Sequence, residues 1–107
     1  GKSLDGFTPI GPCIVTVDEF SNPPQLDIRS YVNGELRQNS NTANMIFGVD
    51  YVISELSQGM TLEAGTVISM GTPSGVGMGF VPPVFLNKGD VVKCEIEGIG
   101  YIENTVE

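Results

Sequence analysis

The chain has 107 residues, 13 Asp plus Glu against 5 Lys plus Arg, no His and a formal net charge of −8. That length allows one compact domain with a modest core drawn from 40% apolar residues. Such acidity excludes the basic footprint that nucleic acid and anionic membrane need, and the lack of His removes the commonest general base and metal ligand.

Glycine and proline are frequent, 14 and 7 residues, and they punctuate short apolar segments, the pattern of a turn-rich β domain. Residues 13–17, from Cys13 to Val17, form a β-branched run that predicts a strand, which Ser21-Asn22-Pro23-Pro24 then breaks. Residues 26–32 alternate, with Leu26, Ile28 and Val32 on one face and Asp27, Arg29 and Tyr31 on the other. Asn33-Gly34 follows and predicts a type I′ hairpin turn, because both central residues must adopt positive φ; the strand returns over 35–39.

The period then changes. Val49, Val52, Ile53 and Leu56 fall at i, i+3, i+4 and i+7, one stripe of a helix over 49–58, with Gly59 placed to end it. The stripe is expected to pack on a sheet. Residues 66–70 predict another short strand. Gly71–Gly79 is a Gly/Pro-rich loop carrying Thr72 and Ser74. The turn Asn87-Lys88-Gly89-Asp90 leads into a strand over Val91–Ile96, and Glu97-Gly98-Ile99-Gly100 turns the chain into a last strand over 101–106.

Cys13 and Cys94 lie far apart without a C-x-x-C spacing, and each sits in an apolar or alternating run, so two buried free thiols are expected. No run reaches the length of a membrane span and no signal peptide is visible, which makes a cytoplasmic protein without membrane or nucleic-acid partners the expectation.

Three segments are able to carry chemistry. Lys2 stands alone in a Gly/Pro-bounded loop, either as a point charge that holds a carboxylate or enolate or as a solvated surface lysine. Gly71-Thr72-Pro73-Ser74-Gly75-Val76-Gly77 follows a predicted strand and lacks the Lys of a P-loop; it is either a loop whose backbone N–H groups and hydroxyls bind a small anion or an ordinary β-connection. Glu95 and Glu97 form an E-x-E able in principle to hold Mg²⁺, but with Lys93 in the same row they read as a solvated acidic edge.

At the first two segments the sequence resembles the fumarylacetoacetate hydrolase family. Residues 1–12, Gly-Lys-Ser-Leu-Asp-Gly-Phe-Thr-Pro-Ile-Gly-Pro, are similar to that family's lysine loop. The resemblance continues through Tyr31-Val32-Asn33-Gly34-Glu35-Leu36-Arg37-Gln38, Asn41-Thr42, Met45-Ile46-Phe47, residues 56–63, the Gly71–Gly77 loop and Gly89-Asp90-Val91-Val92. Within the family the nearest branch is the 2-hydroxyhepta-2,4-diene-1,7-dioate isomerase and acylpyruvate hydrolase group.

This resemblance implies a mainly-β fold with one short helix (α+β), a rolled mixed β-sheet. It implies a metal-dependent enzyme that hydrolyses, decarboxylates or isomerises small 2-keto or 1,3-diketo acids through an enolate-like state. The cofactor implied is Mg²⁺, or Ca²⁺ or Mn²⁺, held by a Glu-x-Glu and an Asp that precede the lysine loop in the family; no metal ligand is assigned to residues 1–107, and Glu95-x-Glu97 lies on the wrong side of the motif order. By resemblance Lys2 is the catalytic lysine that binds substrate and stabilises charge, and Gly71, Thr72 and Pro73 form the loop that contacts the substrate carboxylate. Asp5 lies beside the lysine as a further substrate-binding residue.

The expectation is therefore a single partial domain over 1–107, the C-terminal half of a catalytic domain. Its partners are the missing N-terminal half, a second subunit in a homodimer, and a small keto acid. Lys2 and Thr72 are expected to face one cavity, and surplus apolar surface is expected to mark an interface. The alternative is a non-catalytic β-module that kept the scaffold and lost the activity.

Overall fold

The computed structural model describes residue 2 and residues 4–107; Gly1 and Ser3 of the lysine loop lie outside the described residues. The frame is a four-stranded antiparallel sheet made from β1 (Asp27–Val32), β2 (Glu35–Asn41), β3 (Val91–Ile96) and β4 (Gly100–Thr105), in the order β2-β1-β3-β4. One helix, α1 (Val49–Gly59), lies in the long connection between the two hairpins. The mainly-β, one-helix expectation is met, and all three strand pairings are antiparallel.

The first hairpin forms for the reason read from Asn33-Gly34. Asn33 has φ 51° and Gly34 φ 81°, the pair of positive values that a type I′ turn requires, and Val32 pairs with Glu35 across it. The register then slips. Ser30 faces Gln38 and Tyr31 faces Leu36, which leaves Arg37 opposite no residue of β1. Such a β-bulge bends the strand and re-aims its side chains. It places the neighbours Arg37 and Gln38 along the same cavity, where a regular strand would send them to opposite faces.

The two hairpins meet at a polar clamp. The Asn33 amide donates to Asp90 Oδ1 at 2.9 Å, and Asn33 Oδ1 accepts the Val91 N–H at 2.9 Å. The Asn87 N–H donates to Asp90 Oδ2 at 2.7 Å. The hydrogen bond from Asn33, with that from Asn87 next, holds the Asp90 carboxyl below its ordinary value of 3.8. A depressed folded-state pKa means that the contribution is present above the unfolded value and disappears as pH falls through the folded one. The urea midpoint of the intact protein should therefore exceed that of Asp90→Asn near neutral pH, and the gap should close in the acid region below pH 3.8. A gap that persists unchanged through that region would show that the Asp90 charge contributes nothing to the clamp.

The other face of the sheet carries the charges. Lys93 Nζ lies 2.8 Å from Glu95 Oε2 and 4.3 Å from the centre of the Tyr101 ring, and Arg29 bridges Asp27 at 2.8 Å and Glu95 at 3.9 Å. The hydrogen bond between Lys93 and Glu95 raises the lysine's pKa and lowers the glutamate's. Glu95 is thus ion-paired and half-buried on a central strand, which corrects its reading as part of a solvated edge.

Three further expectations need correction. Residues 13–17 and 66–70 are in no ladder, and Val17 instead opens a short 3-10 turn, Val17–Glu19; a β-branched run becomes a strand only beside a neighbour to bond with. The α1 stripe makes no extended contact with the sheet: among the described residues, extended packing between elements is strand on strand alone, and while Val49, Val52 and Leu56 are half-buried, Ile53 remains exposed. Neither thiol is buried. Cys13 and Cys94 are exposed, because too little of the chain lies over the sheet to cover them.

Indeed no described residue is buried, hydrophobic or polar. Ile14 and Ile46 are each 91% exposed and Val81 99%. Open apolar surface on this scale is the mark of an interaction surface. Among the described residues no helix is long and apolar enough to cross a membrane.

Candidate active site

The Gly71–Gly77 loop is fastened to β2 at its bulge. Gly75 has φ 106°, and a Cβ there would collide with the Arg37 carbonyl, so only glycine permits the approach. Beside it, the Gln38 side chain ties the loop to the sheet. Gln38 Nε2 donates to Thr72 Oγ1 at 2.8 Å and to the Pro73 carbonyl at 2.8 Å, while its Oε1 accepts from Ser30 Oγ at 2.9 Å. Thr72 is exposed and Pro73 half-buried, and Gly71 takes φ 99° at the head of the loop.

The lysine loop is closed on itself. Thr8 Oγ1 donates to the Lys2 carbonyl at 2.7 Å, the Phe7 N–H donates to the Leu4 carbonyl at 3.2 Å, and Gly6 turns the chain at φ 75°. The Lys2 and Asp5 side chains are both exposed. Arg29, Arg37 and Lys93 each pair with a carboxylate, whereas Lys2 and Lys88 have no such partner among the described residues. The charge of Lys2 is therefore uncompensated among the described residues.

Both loops cover one face of the sheet. A cavity of about 430 Å³ lies between that face, at Ser30, Val32, Gln38 and Cys94, and the loop side, at Gly75 and Gly77. A second, of about 970 Å³, is formed by Asp5–Pro9 against Val92, Cys94 and Ile102. The two share Leu86, Val92 and Cys94. Asp5 thus lines the cavity on the lysine side. Lys2 and Thr72 line neither, so the expectation that they face one cavity is not met by these two; Thr72 adjoins the smaller one through Gln38.

The described residues do not fit a divalent metal. Among the described residues there is no group of three or more His, Cys, Asp or Glu able to hold one. Glu95 and Glu97, the nearest thing to a ligand pair, are engaged separately: Glu95 with Lys93, and Glu97 Oε2 as acceptor of the Asp27 N–H at 3.1 Å.

Sequence reasoning missed Gln38 as a site residue. Its signal was positional, since Gln38 stands opposite Ser30 only in the register the bulge sets, and a bulge leaves no clear mark in a strand's alternation.

Comparison with known proteins gives a consistent answer. An oxaloacetate tautomerase of Bacillus subtilis (strain 168) is 48% identical over 106 residues, which cover 99% of this chain and 35% of that protein. The solved fumarylacetoacetate hydrolase of Exiguobacterium antarcticum superposes with a TM-score of 0.93 at 54% identity, over 100% of this chain and 38% of the other. A maleylpyruvate hydrolase of Sphingobium sp. SYK-6, solved with manganese(II) and pyruvate, gives a TM-score of 0.83 at 37% identity, over 98% and 37%. The chain spans little more than a third of the length of these relatives. Residues 1–107 match the family described as Fumarylacetoacetate (FAA) hydrolase C-terminal from end to end, and the chain belongs to that family.

Proposed function

We propose that this chain is the C-terminal part of a catalytic domain that hydrolyses, decarboxylates or isomerises small 2-keto or 1,3-diketo acids through an enolate-like state. The observation that carries the reading is the convergence of the lysine loop and the Gly71–Gly77 loop on one sheet face, where their cavities share Leu86, Val92 and Cys94. Two family motifs distant in sequence thereby flank adjoining cavities on one face, room enough for a small acid. Thr72 and the backbone N–H groups beside it hold the substrate carboxylate. The Lys2 ammonium faces the oxygen that gains negative charge.

In this reading the divalent metal is held by residues outside this chain. The manganese and pyruvate bound to the Sphingobium relative support a metal-dependent site for a keto acid. The exposed apolar surface is covered in the intact protein by the remainder of the domain and by a second subunit.

The test is turnover by the intact protein with Mg²⁺, Mn²⁺ or Ca²⁺ on a panel of oxaloacetate, acylpyruvates and ring-opened diketo acids. Conversion of at least one member, abolished by a chelator and restored by metal, is the expected result. Failure on the whole panel, with metal binding absent by calorimetry, would favour the non-catalytic β-module.

A further inference from the structure

We propose that Gln38 is a positioning residue that aims the Thr72 hydroxyl proton at the substrate; this rests on the reading of Thr72 as a carboxylate contact. The argument is one of donors and acceptors. The Pro73 carbonyl can only accept, so the Gln38 atom 2.8 Å from it must be the amide nitrogen. The same nitrogen lies 2.8 Å from Thr72 Oγ1 and has one hydrogen left, which it gives to that oxygen. The Thr72 proton cannot then point back toward Gln38. It points away from β2, and the hydroxyl meets an incoming anion as a donor.

The Pro73 carbonyl locks this polarity because it only accepts, and Ser30 adapts to it. Its hydroxyl donates to Gln38 Oε1 at 2.9 Å from the position directly across the strand pair. Turning the Gln38 amide over would set its oxygen against the Pro73 carbonyl and replace that attractive contact with a repulsive one, while the Thr72 and Ser30 hydroxyls can rotate to suit either orientation. The sequence Ser30, Gln38, Thr72 is a one-way relay of hydrogen bonds that begins on the rigid sheet and ends at the loop. A hydroxyl held as a donor discriminates in favour of a carboxylate or enolate oxygen, which only accepts, over a group that must itself donate.

The isosteric variant Gln38→Glu reverses the relay. As a carboxylate it accepts from Thr72 and draws the proton inward; once protonated it donates again. In the intact, metal-loaded protein, kcat/KM for Gln38→Glu should fall roughly 10–100-fold at pH 8, the scale of one hydrogen bond to a charged group. It should recover as pH drops through the introduced carboxyl's pKa, a titration that the wild type lacks. Ser30→Ala, which removes the donor to Gln38 Oε1 but leaves the Pro73 carbonyl holding the amide, should give a smaller loss with no added pH dependence.

Thr72→Val supplies the control. If Gln38 acts through the hydroxyl, Gln38→Glu should cause no further pH-dependent loss in the Thr72→Val background. A loss that persists there reflects direct repulsion of the substrate and overturns the proposal. So does an active wild type whose Gln38→Glu variant follows the wild-type pH profile. A wild type without turnover, or a Thr72→Val variant with unchanged kcat/KM, overturns the reading of the site beneath it and the proposal with it.

Discussion

Lys2→Ala is expected to lower kcat/KM of the intact, metal-loaded protein by on the order of 10²–10³, the scale seen when one group stabilising transition-state charge is removed. The substrates proposed are anions, and the chain carries a net charge of −8. Its overall field repels them, so capture depends on local positive charge. Three of the chain's five cations are engaged with carboxylates, while Lys2 stands on a loop closed by Thr8 with no acidic partner among the described residues. Lys2→Arg should not restore the rate, because a planar fork does not replace a compact ammonium in a tight loop. Thr72→Ala should cost less than Lys2→Ala, since the backbone N–H groups of that loop survive the substitution. Steady-state kinetics on the three variants decide the matter. A Lys2→Ala enzyme close to wild type would make Lys2 an ordinary solvated lysine.

Gly75→Ala should be nearly as damaging, by a different route. The residue occupies φ 106°, and an added Cβ would meet the Arg37 carbonyl, a backbone atom in the paired part of the sheet that has little freedom to retreat. The loop must lift, and the Gln38 bonds to Thr72 and Pro73 lengthen or break. A displacement of about 1 Å at a substrate-holding group is enough to lower kcat/KM by on the order of 10². Gly65→Ala is the matched control, because Gly65 has φ 89° with nothing within 4 Å of the added atom. It should show only conformational strain, about 1–2 kcal/mol, in its melting temperature and little change in rate. Equal kinetic losses in the two variants would mean that close approach to β2 does not position the loop.

What could be read from the sequence was local. Asn33-Gly34 specifies its turn through two positive φ values, the Val49-Val52-Ile53-Leu56 spacing specifies a helix, and Val91–Ile96 matches its strand end to end. What could not be read was relational. Residues 13–17 have strand-like composition, but a strand is defined by a partner, and the described residues offer them none. The thiols were expected inside because of their apolar neighbours, yet burial depends on what lies above the face, and Cys94 opens onto both cavities. The two functional loops were legible as motifs. The residue that connects one of them to the sheet was not, because Gln38 reaches Thr72 only by virtue of an extra residue in β2.

The order of the strands has a bearing on how the site comes into being. Each hairpin closes over a short turn, but the central β1–β3 pairing joins segments far apart in the chain; the clamp beside it links Asn33 and Asp90, which are 57 positions apart. Closing so long a loop carries a large entropic cost before any contact offsets it, and topologies dominated by such pairings reach their native state slowly. The Gly71–Gly77 loop lies inside that span, whereas its anchor Gln38 belongs to the first hairpin. During folding the hairpin can therefore present Gln38 early, while the loop it must grip is still tethered to an unpaired β3. The candidate site is then a late product of the search through conformations, and a chain that stalls before its central strands zip together holds the two loops without their geometry.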